Sequence, residues 1–192
     1  MPLRILDVMV DDIAELLKYS KIDNADCFAV SNGCNTAMQI AIRYPNLVQK
    51  IILDSAFFKR DGLYLQVWDS LNQSTLTDMQ QLLKDAYTKV APDSGDLSRM
   101  YEKDKKRMME FEDWKTEDIR SINTPVLIIV GDKDVVHPEH AVEMIRLLPH
   151  ARLSILLGKH GSYTGEVISE VVQSKILDLV VSIIEEFLNE LV

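Results

Sequence analysis

Ser31 lies where a short apolar segment gives way to small residues and then to an amphipathic segment. Residues 26–37 read DCFAVSNGCNTA. A sharp turn from strand to helix can hold a serine hydroxyl above a sheet, where it can act as a nucleophile. Strand and helix cross closely at such a turn, so we expect small residues at Ala29 and Gly33. Taken alone, the segment also suits an ordinary strand, turn and helix.

Three more polar residues follow apolar segments later in the chain. Asp132 and Asp134 come after residues 126–130, and His160 comes after residues 152–157. The carboxyl ends of parallel strands meet at one edge of a sheet, which brings these side chains near Ser31. A serine becomes nucleophilic when an imidazole takes its proton, and a carboxylate then orients that imidazole. The order Ser, Asp, His therefore predicts nucleophilic catalysis, although His160 alone would suit a solvated loop.

A metal site is the alternative for part of this group. Asp132 and Asp134, together with His137 and His140, carry the ligand types that a divalent metal accepts. Pro138 begins a predicted helix, which would scatter the two histidines, so we predict no metal. The sequence has neither a phosphate-binding glycine loop nor a dinucleotide fingerprint, so we also predict no organic cofactor.

The hydrophobic pattern predicts the elements that must position these residues. Ile51, Ile52 and Leu53 form a strand that is apolar on both faces, as in parallel sheets covered by helices on both sides. We predict strands over 26–30, 50–56, 126–130 and 152–157, and helices over 7–20, 36–44, 138–148 and 174–192. The fold class is therefore α/β, with about four parallel strands flanked by helices.

Residues 57–120 differ in character from the segments on either side. They hold most of the aromatic and methionine residues in helical patterns without a strand signal. We predict a core of residues 1–56 and 121–192 with a helical insertion between them. The side chains that we expect to line an apolar pocket are Phe57, Phe58, Trp68 and Trp114. For any one of them, a place in the insertion's own core is an equal alternative.

Composition limits the possible partners and the location of the chain. The net charge is −9, from 30 acidic and 21 basic residues, and it would repel a nucleic acid backbone. Cys27 and Cys34 are expected to be reduced thiols, because two cysteines make no disulfide framework. Residues 1–10 lack a signal-peptide pattern, and no segment approaches a membrane span. We expect a cytoplasmic protein that does not bind membranes.

The sequence resembles the α/β-hydrolase-fold family in three motifs that occur in the family's order. They are the elbow VSNG at 30–33, the segment TPVLIIVGDKD at 124–134 and HGSY at 160–163. The resemblance implies that Ser31 is the nucleophile, Asp134 the acid and His160 the base. Asp134 is favoured over Asp132 because the family spaces its glycine and its acid three apart.

The resemblance also implies a substrate class and a lid. Asn32 N–H would help to bind the oxyanion, residues 57–120 would form the lid, and the substrate would be a small carboxylic ester or similar acyl compound. Carbon–carbon bond hydrolysis or a haloperoxidase-like activity would use the same three residues and stays open.

The sequence departs from the family pattern ahead of the elbow. Family members carry several strands there and a loop that gives a second oxyanion donor, whereas residues 1–25 read as one helix. We expect one exposed strand edge at Cys27 and Phe28, covered by a second copy in a homo-oligomer. The alternatives are that the chain is a piece of a longer protein, or a catalytically impaired relative that binds a ligand or partner.

Overall fold

The computed structural model describes residues 5–165 and 175–190, which form one parallel sheet with helices on both faces. The sheet order is β1-β2-β3-β4, and each strand pairs in parallel with its neighbour. This confirms the predicted α/β class with four parallel strands. The strands are β1 (Ala25–Val30), β2 (Val48–Asp54), β3 (Val126–Lys133) and β4 (Ala151–Lys159).

Eight α-helices surround the sheet in the part of the chain that the structure describes. They are α1 (Ile5–Tyr19), α2 (Asn32–Arg43), α3 (Leu65–Gln73), α4 (Gln81–Val90), α5 (Leu97–Met109), α6 (Thr116–Arg120), α7 (Pro138–Leu147) and α8 (Lys175–Asn189). The predicted start of the second helix at Thr36 is wrong, because α2 begins directly after Ser31. Ser174 and Val192, the predicted ends of the last helix, lie outside the described residues.

The two central strands are buried on both faces, as their unbroken apolar sequence predicts. Ile51 and Leu53 join a cluster with Met38 of α2 and Met144 of α7. Ile52 points to the opposite face. There it joins a second cluster that includes Leu127, Ile129, Val180 and Phe187. The alternation of strand side chains thus divides β2 between two cores and fixes its register in the sheet.

Residues 57–120 connect β2 to β3 and contain α3 to α6. One isolated bridge from Leu63 to Val136 joins this segment to the loop after β3. Phe57 also packs its ring against Trp68 and Phe111 within the segment. The division of the chain into a core and a lid stays a prediction.

Strand β1 lies at one end of the sheet. Among the described residues it pairs with β2 alone, and Phe28 is half exposed. Over residues 5–165 and 175–190, no helix combines the length and the apolar character that crossing a bilayer requires.

Candidate active site

Ser31 has a strained backbone between β1 and α2. Its φ of 52° and ψ of −126° lie in a region that non-glycine residues rarely occupy. Such a conformation costs about 1–3 kcal/mol and persists only where the surroundings impose it. Ser31 N–H donates to Asp54 O at 2.7 Å, which holds the turn against β2. The hydroxyl makes no capping hydrogen bond to α2, so helix formation does not occupy it.

The steric reason that we expected for Gly33 is wrong. A Cβ placed on Gly33 would meet no described atom within 4 Å, so α2 does not press against β1 at this position. The close approach occurs one residue later in α2. There Cys34 Sγ lies 3.2 Å from both Ala29 O and Asp54 O. Burial, followed by the charge of Asp54, raises the pKa of the Cys34 thiol, which makes it an unreactive packing group.

Asp134 and His160 meet at the carboxyl ends of β3 and β4. His160 Nδ1 lies 2.8 Å from Asp134 Oδ1, with the Asp134 side chain fully buried and that of His160 22% exposed. The same carboxylate oxygen accepts the backbone N–H of Val135 at 2.6 Å. Burial alone would raise the pKa of Asp134. The hydrogen bond and charge of His160, with hydrogen bonds from Ser55 and Tyr163, outweigh burial and lower that pKa to about 2.

Asp132, two residues before Asp134, has a different partner. Asp132 Oδ1 accepts the backbone N–H of Gly158 at 2.8 Å, which ties the end of β4 to the end of β3. His160 follows in a turn between Gly158 and Gly161, whose φ angles of 150° and 64° favour glycine. The two aspartates therefore have different roles. Asp132 fixes the turn that carries His160, and Asp134 contacts the His160 ring.

The two histidines of the alternative metal site lie in separate environments. His140 Nε2 accepts the backbone N–H of Phe58 at 3.1 Å, and its ring stacks on that of Phe58. His137 instead packs against the Tyr64 ring at 3.8 Å between centroids. Among the described residues, no group of three or more histidine, cysteine or carboxylate side chains could hold a metal ion.

Gly131 controls the distance between the two strand ends. A Cβ at this position would collide with the carbonyl oxygen of Gly158 and lie 2.9 Å from Tyr163 Cε1. We expect Gly131→Ala to lower the free energy of unfolding by about 1–3 kcal/mol, because backbone and ring must both move. Thermal unfolding measures the effect, with Gly33→Ala as the matched control because its Cβ enters open space. Equal loss of stability in the two variants would contradict this packing.

The four aromatic residues predicted to line a pocket all lie in or against the main hydrophobic cluster, and Trp114 also faces a cavity. Phe57, Phe58 and Trp68 are buried in the main hydrophobic core. Trp114 lines a cavity of about 70 Å³ beside Asn32. Aromatic type alone could not separate these two roles, because core and pocket both require large apolar side chains.

Two polar residues that line this cavity, Asn35 and Arg107, were not predicted from the sequence. Asn35 is 1% exposed, and its Oδ1 has no hydrogen-bond partner among the described residues. Arg107 of α5 contacts the residue after Ser31. With the amide oxygen of Asn32 facing the guanidinium, that oxygen accepts from Arg107 Nε at 2.9 Å and Nη2 at 2.5 Å. A side chain of α5 thus contacts the residue that follows Ser31.

Four further residues beside Asp134 also escaped prediction. They form a buried polar group with it and consist of Asp54, Ser55, Tyr163 and Thr164. A signal for two of them was present, because Asp54 and Ser55 end an apolar strand just as Asp132 and Asp134 do. Tyr163 and Thr164 carry no such signal, since tyrosine and threonine are common in exposed turns.

Comparison with known proteins identifies the fold. No protein-family profile and no curated protein matches the sequence. Among solved structures, a meta-cleavage product hydrolase from Pseudomonas fluorescens IP01 matches at 20% identity and a TM-score of 0.68, over 98% of this chain and 73% of that one. An enol-lactonase from Burkholderia xenovorans LB400 matches at 19% identity and a TM-score of 0.70, over 98% of this chain and 74% of that one. The chain therefore has the α/β-hydrolase fold.

Proposed function

We propose that the protein is a serine hydrolase that cleaves small carboxylic esters or similar acyl compounds. The observation that carries the proposal is the 2.8 Å hydrogen bond between His160 Nδ1 and a buried Asp134 carboxylate. The His160–Asp134 pair lies at the carboxyl ends of its strands, and Ser31 follows the carboxyl end of β1 in a strained conformation. Asp134 fixes the tautomer in which Nδ1 carries the proton, so Nε2 is the atom that accepts a proton.

In the proposed reaction, Ser31 Oγ attacks the carbonyl carbon of the substrate while His160 Nε2 takes the hydroxyl proton. The tetrahedral intermediate collapses as the imidazolium gives this proton to the departing alkoxide, which leaves an acyl group on Ser31. Water then attacks the acyl carbon with His160 again as base, and the acid is released. Asp134 stays charged throughout and stabilises the imidazolium.

The proposed environment of the carbonyl oxygen comes from the turn and the segment above it. Asn32 N–H lies at the start of α2, where helix amides have no intrahelical partner and attract negative charge. We assign it as one oxyanion donor. The cavity beside Asn32 and Trp114 would receive the smaller part of the substrate, and the segment over 57–120 would act as the lid. The contact of Arg107 with Asn32 supports the proposal of a lid, because it joins a residue of 57–120 to the turn beside the cavity.

An ester substrate agrees with one structural neighbour. An enol-lactone, the substrate class in the name of the Burkholderia neighbour, is a cyclic ester. The name of the Pseudomonas fluorescens neighbour gives a meta-cleavage product as its substrate class. The fold supports more than one hydrolytic chemistry, so the nucleophile must be tested before the substrate.

A fluorophosphonate probe tests the nucleophile, because it phosphonylates an activated serine. We expect the wild type to incorporate one probe molecule and Ser31→Ala to incorporate none, as measured by mass spectrometry of the intact protein. Ser121→Ala is the control, since its hydroxyl bonds only to the carbonyl of Asp118 in the contacts described. A folded wild type that stays unlabelled would favour the alternative of a ligand- or partner-binding relative.

We also propose that a second copy of the chain covers the edge of β1, so that the protein is a homo-oligomer. The half-exposed Phe28 and the edge position of β1 support this, because an apolar strand edge is a template for pairing. Sedimentation velocity measures the association state, and a monomer at all concentrations would exclude the proposal. The cytoplasmic location stays a prediction.

A further inference from the structure

Two carboxylates and two hydroxyls lie within hydrogen-bond distance of one another in a buried ring. Tyr163 OH lies 2.6 Å from Asp54 Oδ1 and 2.8 Å from Asp134 Oδ2. Ser55 Oγ lies 2.7 Å from Asp134 Oδ2 and 3.0 Å from Asp54 Oδ1. Asp54 and Ser55 are fully buried, and Tyr163 is 1% exposed. The ring therefore connects the end of β2 with the end of β3.

Protons in this ring are few, and each is needed. Two hydroxyls supply one proton each. Asp134 Oδ2 also accepts the backbone N–H of Gly131 at 3.3 Å, whereas the donors described for Asp54 Oδ1 are the two hydroxyls. The other oxygen of each carboxylate has its own partners. Thr164 Oγ1 donates to Asp54 Oδ2 at 2.7 Å, and His160 contacts Asp134 Oδ1. Removal of either hydroxyl would leave a buried carboxylate oxygen with one donor fewer, which is costly away from water.

The ring also fixes the turn that carries His160. Tyr163 and Thr164 lie three and four residues after His160, and both bond to Asp54. Asp54 ends β2, which lies between β1 and β3 in the sheet. The Tyr163 ring packs beside Gly131, where no side chain intervenes. The turn that carries the proposed base is thereby attached to β2 and β3, the most buried strands of the sheet.

We propose that Asp54 and Tyr163 are positioning residues for the His160–Asp134 pair, an inference that rests on the proposed function. Tyr163 and Ser55 both lie within hydrogen-bond distance of Asp134 Oδ2 and fix the orientation of this carboxylate, so that Oδ1 faces His160 Nδ1. Asp54 holds Tyr163 and Thr164, so that the turn keeps the imidazole in place. Neither residue touches the substrate in this scheme.

The electrostatic surroundings of Asp54 and Tyr163 also suit the positioning role. Burial raises the pKa of Asp54, an effect that hydrogen bonds from Tyr163, Thr164 and Ser55 partly offset. Burial, together with the charges of Asp54 and Asp134, raises the pKa of Tyr163, so its hydroxyl stays protonated and remains a donor. Across the ring, Asp134 therefore faces the carboxyl group of Asp54 and the neutral hydroxyls of Ser55 and Tyr163.

The first test measures the rate of fluorophosphonate labelling at Ser31 as a function of pH. We expect Tyr163→Phe and Asp54→Asn to slow labelling by about tenfold to a hundredfold, because a small misplacement of a reacting group has effects of this size. Asp54→Asn also removes a negative charge that favours the imidazolium, so the acidic limb of its profile moves to lower pH.

Tyr44→Phe is the matched control. It removes a tyrosine hydroxyl that donates to a carboxylate, Asp11, at 2.7 Å and far along the chain from the ring. We expect its labelling rate and pH profile to equal those of the wild type. If Tyr163→Phe fails to fold, Thr164→Val takes its place, because it removes one hydrogen bond of Asp54 at the margin of the ring.

A second readout does not need activity. The His160 Nδ1 proton, bonded to a buried carboxylate, should give a downfield proton resonance in the wild type, and we expect faster exchange with water in Tyr163→Phe. A wild type that does not label would refute the proposed function, and this resonance would then decide the positioning role by itself. Folded variants with unchanged rates, pH profiles and proton exchange would overturn the positioning role, even if their thermal stability fell.

Discussion

Asp134→Asn is expected to lower the rate of fluorophosphonate labelling at Ser31 by about 10³- to 10⁴-fold. Loss of the orienting carboxylate in a serine triad has effects of this order, because an amide stabilises the wrong imidazole tautomer. The buried position of Asp134 adds to the effect, since water cannot replace the lost charge beside His160 Nδ1. The rate constant for labelling is measured on the plateau of the pH profile, where the rate no longer rises with pH, and is compared with that of the wild type.

Asp132→Asn is the matched control for this prediction. It makes the same chemical change two residues away, where the carboxylate contacts the backbone N–H of Gly158 rather than His160. An asparagine oxygen can accept that hydrogen bond, so we expect a labelling rate within about threefold of the wild type. Equal losses in the two variants would mean that Asp134 has no special relation to the nucleophile. Circular dichroism is used to check that both variants are folded.

The predicted fold agrees with the structure because its signals are local. Unbroken apolar runs such as residues 51–53 identify strands that are covered on both sides, and the structure buries these residues. The residues proposed for catalysis also follow from local signals, because a polar residue after a buried strand lies at the sheet edge by topology. The start of α2 could not be found in this way. The strained conformation of Ser31 allows the helix to begin at once, and backbone angles leave no trace in composition.

Contacts between residues far apart in the chain could not be predicted. Asp54 contacts Tyr163, which lies 109 positions away. The apolar strand before Asp54 marks it as a candidate, whereas nothing local marks Tyr163 as its partner. Phe57 and Trp68 show the opposite difficulty, because their aromatic character suits a pocket and a core equally well, and the structure buries both in the core. In both cases the sequence gives the chemical type of the side chain, whereas its role depends on which other element folds against it.

Lys50→Met is the second large expected effect, and it concerns stability. Lys50 is 6% exposed, and its Nζ donates to Phe187 O at 2.9 Å, Leu188 O at 2.8 Å and Glu190 O at 2.7 Å. The first two carbonyls belong to the last turn of α8 and the third follows its end, where a helix leaves acceptors without partners and a cation is favourable. The charged group of a β2 residue therefore caps the last described helix and holds it against the sheet.

We expect Lys50→Met to lower the free energy of unfolding by about 2–4 kcal/mol, because hydrogen bonds to a charged group contribute about 1.5–3 kcal/mol each and are not additive. For a chain of this size, the midpoint of thermal unfolding should fall by roughly 5–15 °C. Methionine keeps the volume of the lysine stem, so the loss reports the ammonium group rather than a cavity. Lys89→Met on the exposed side of α4 is the control and should leave the midpoint unchanged. If both variants melted with the wild type, the buried ammonium would not hold α8 in place.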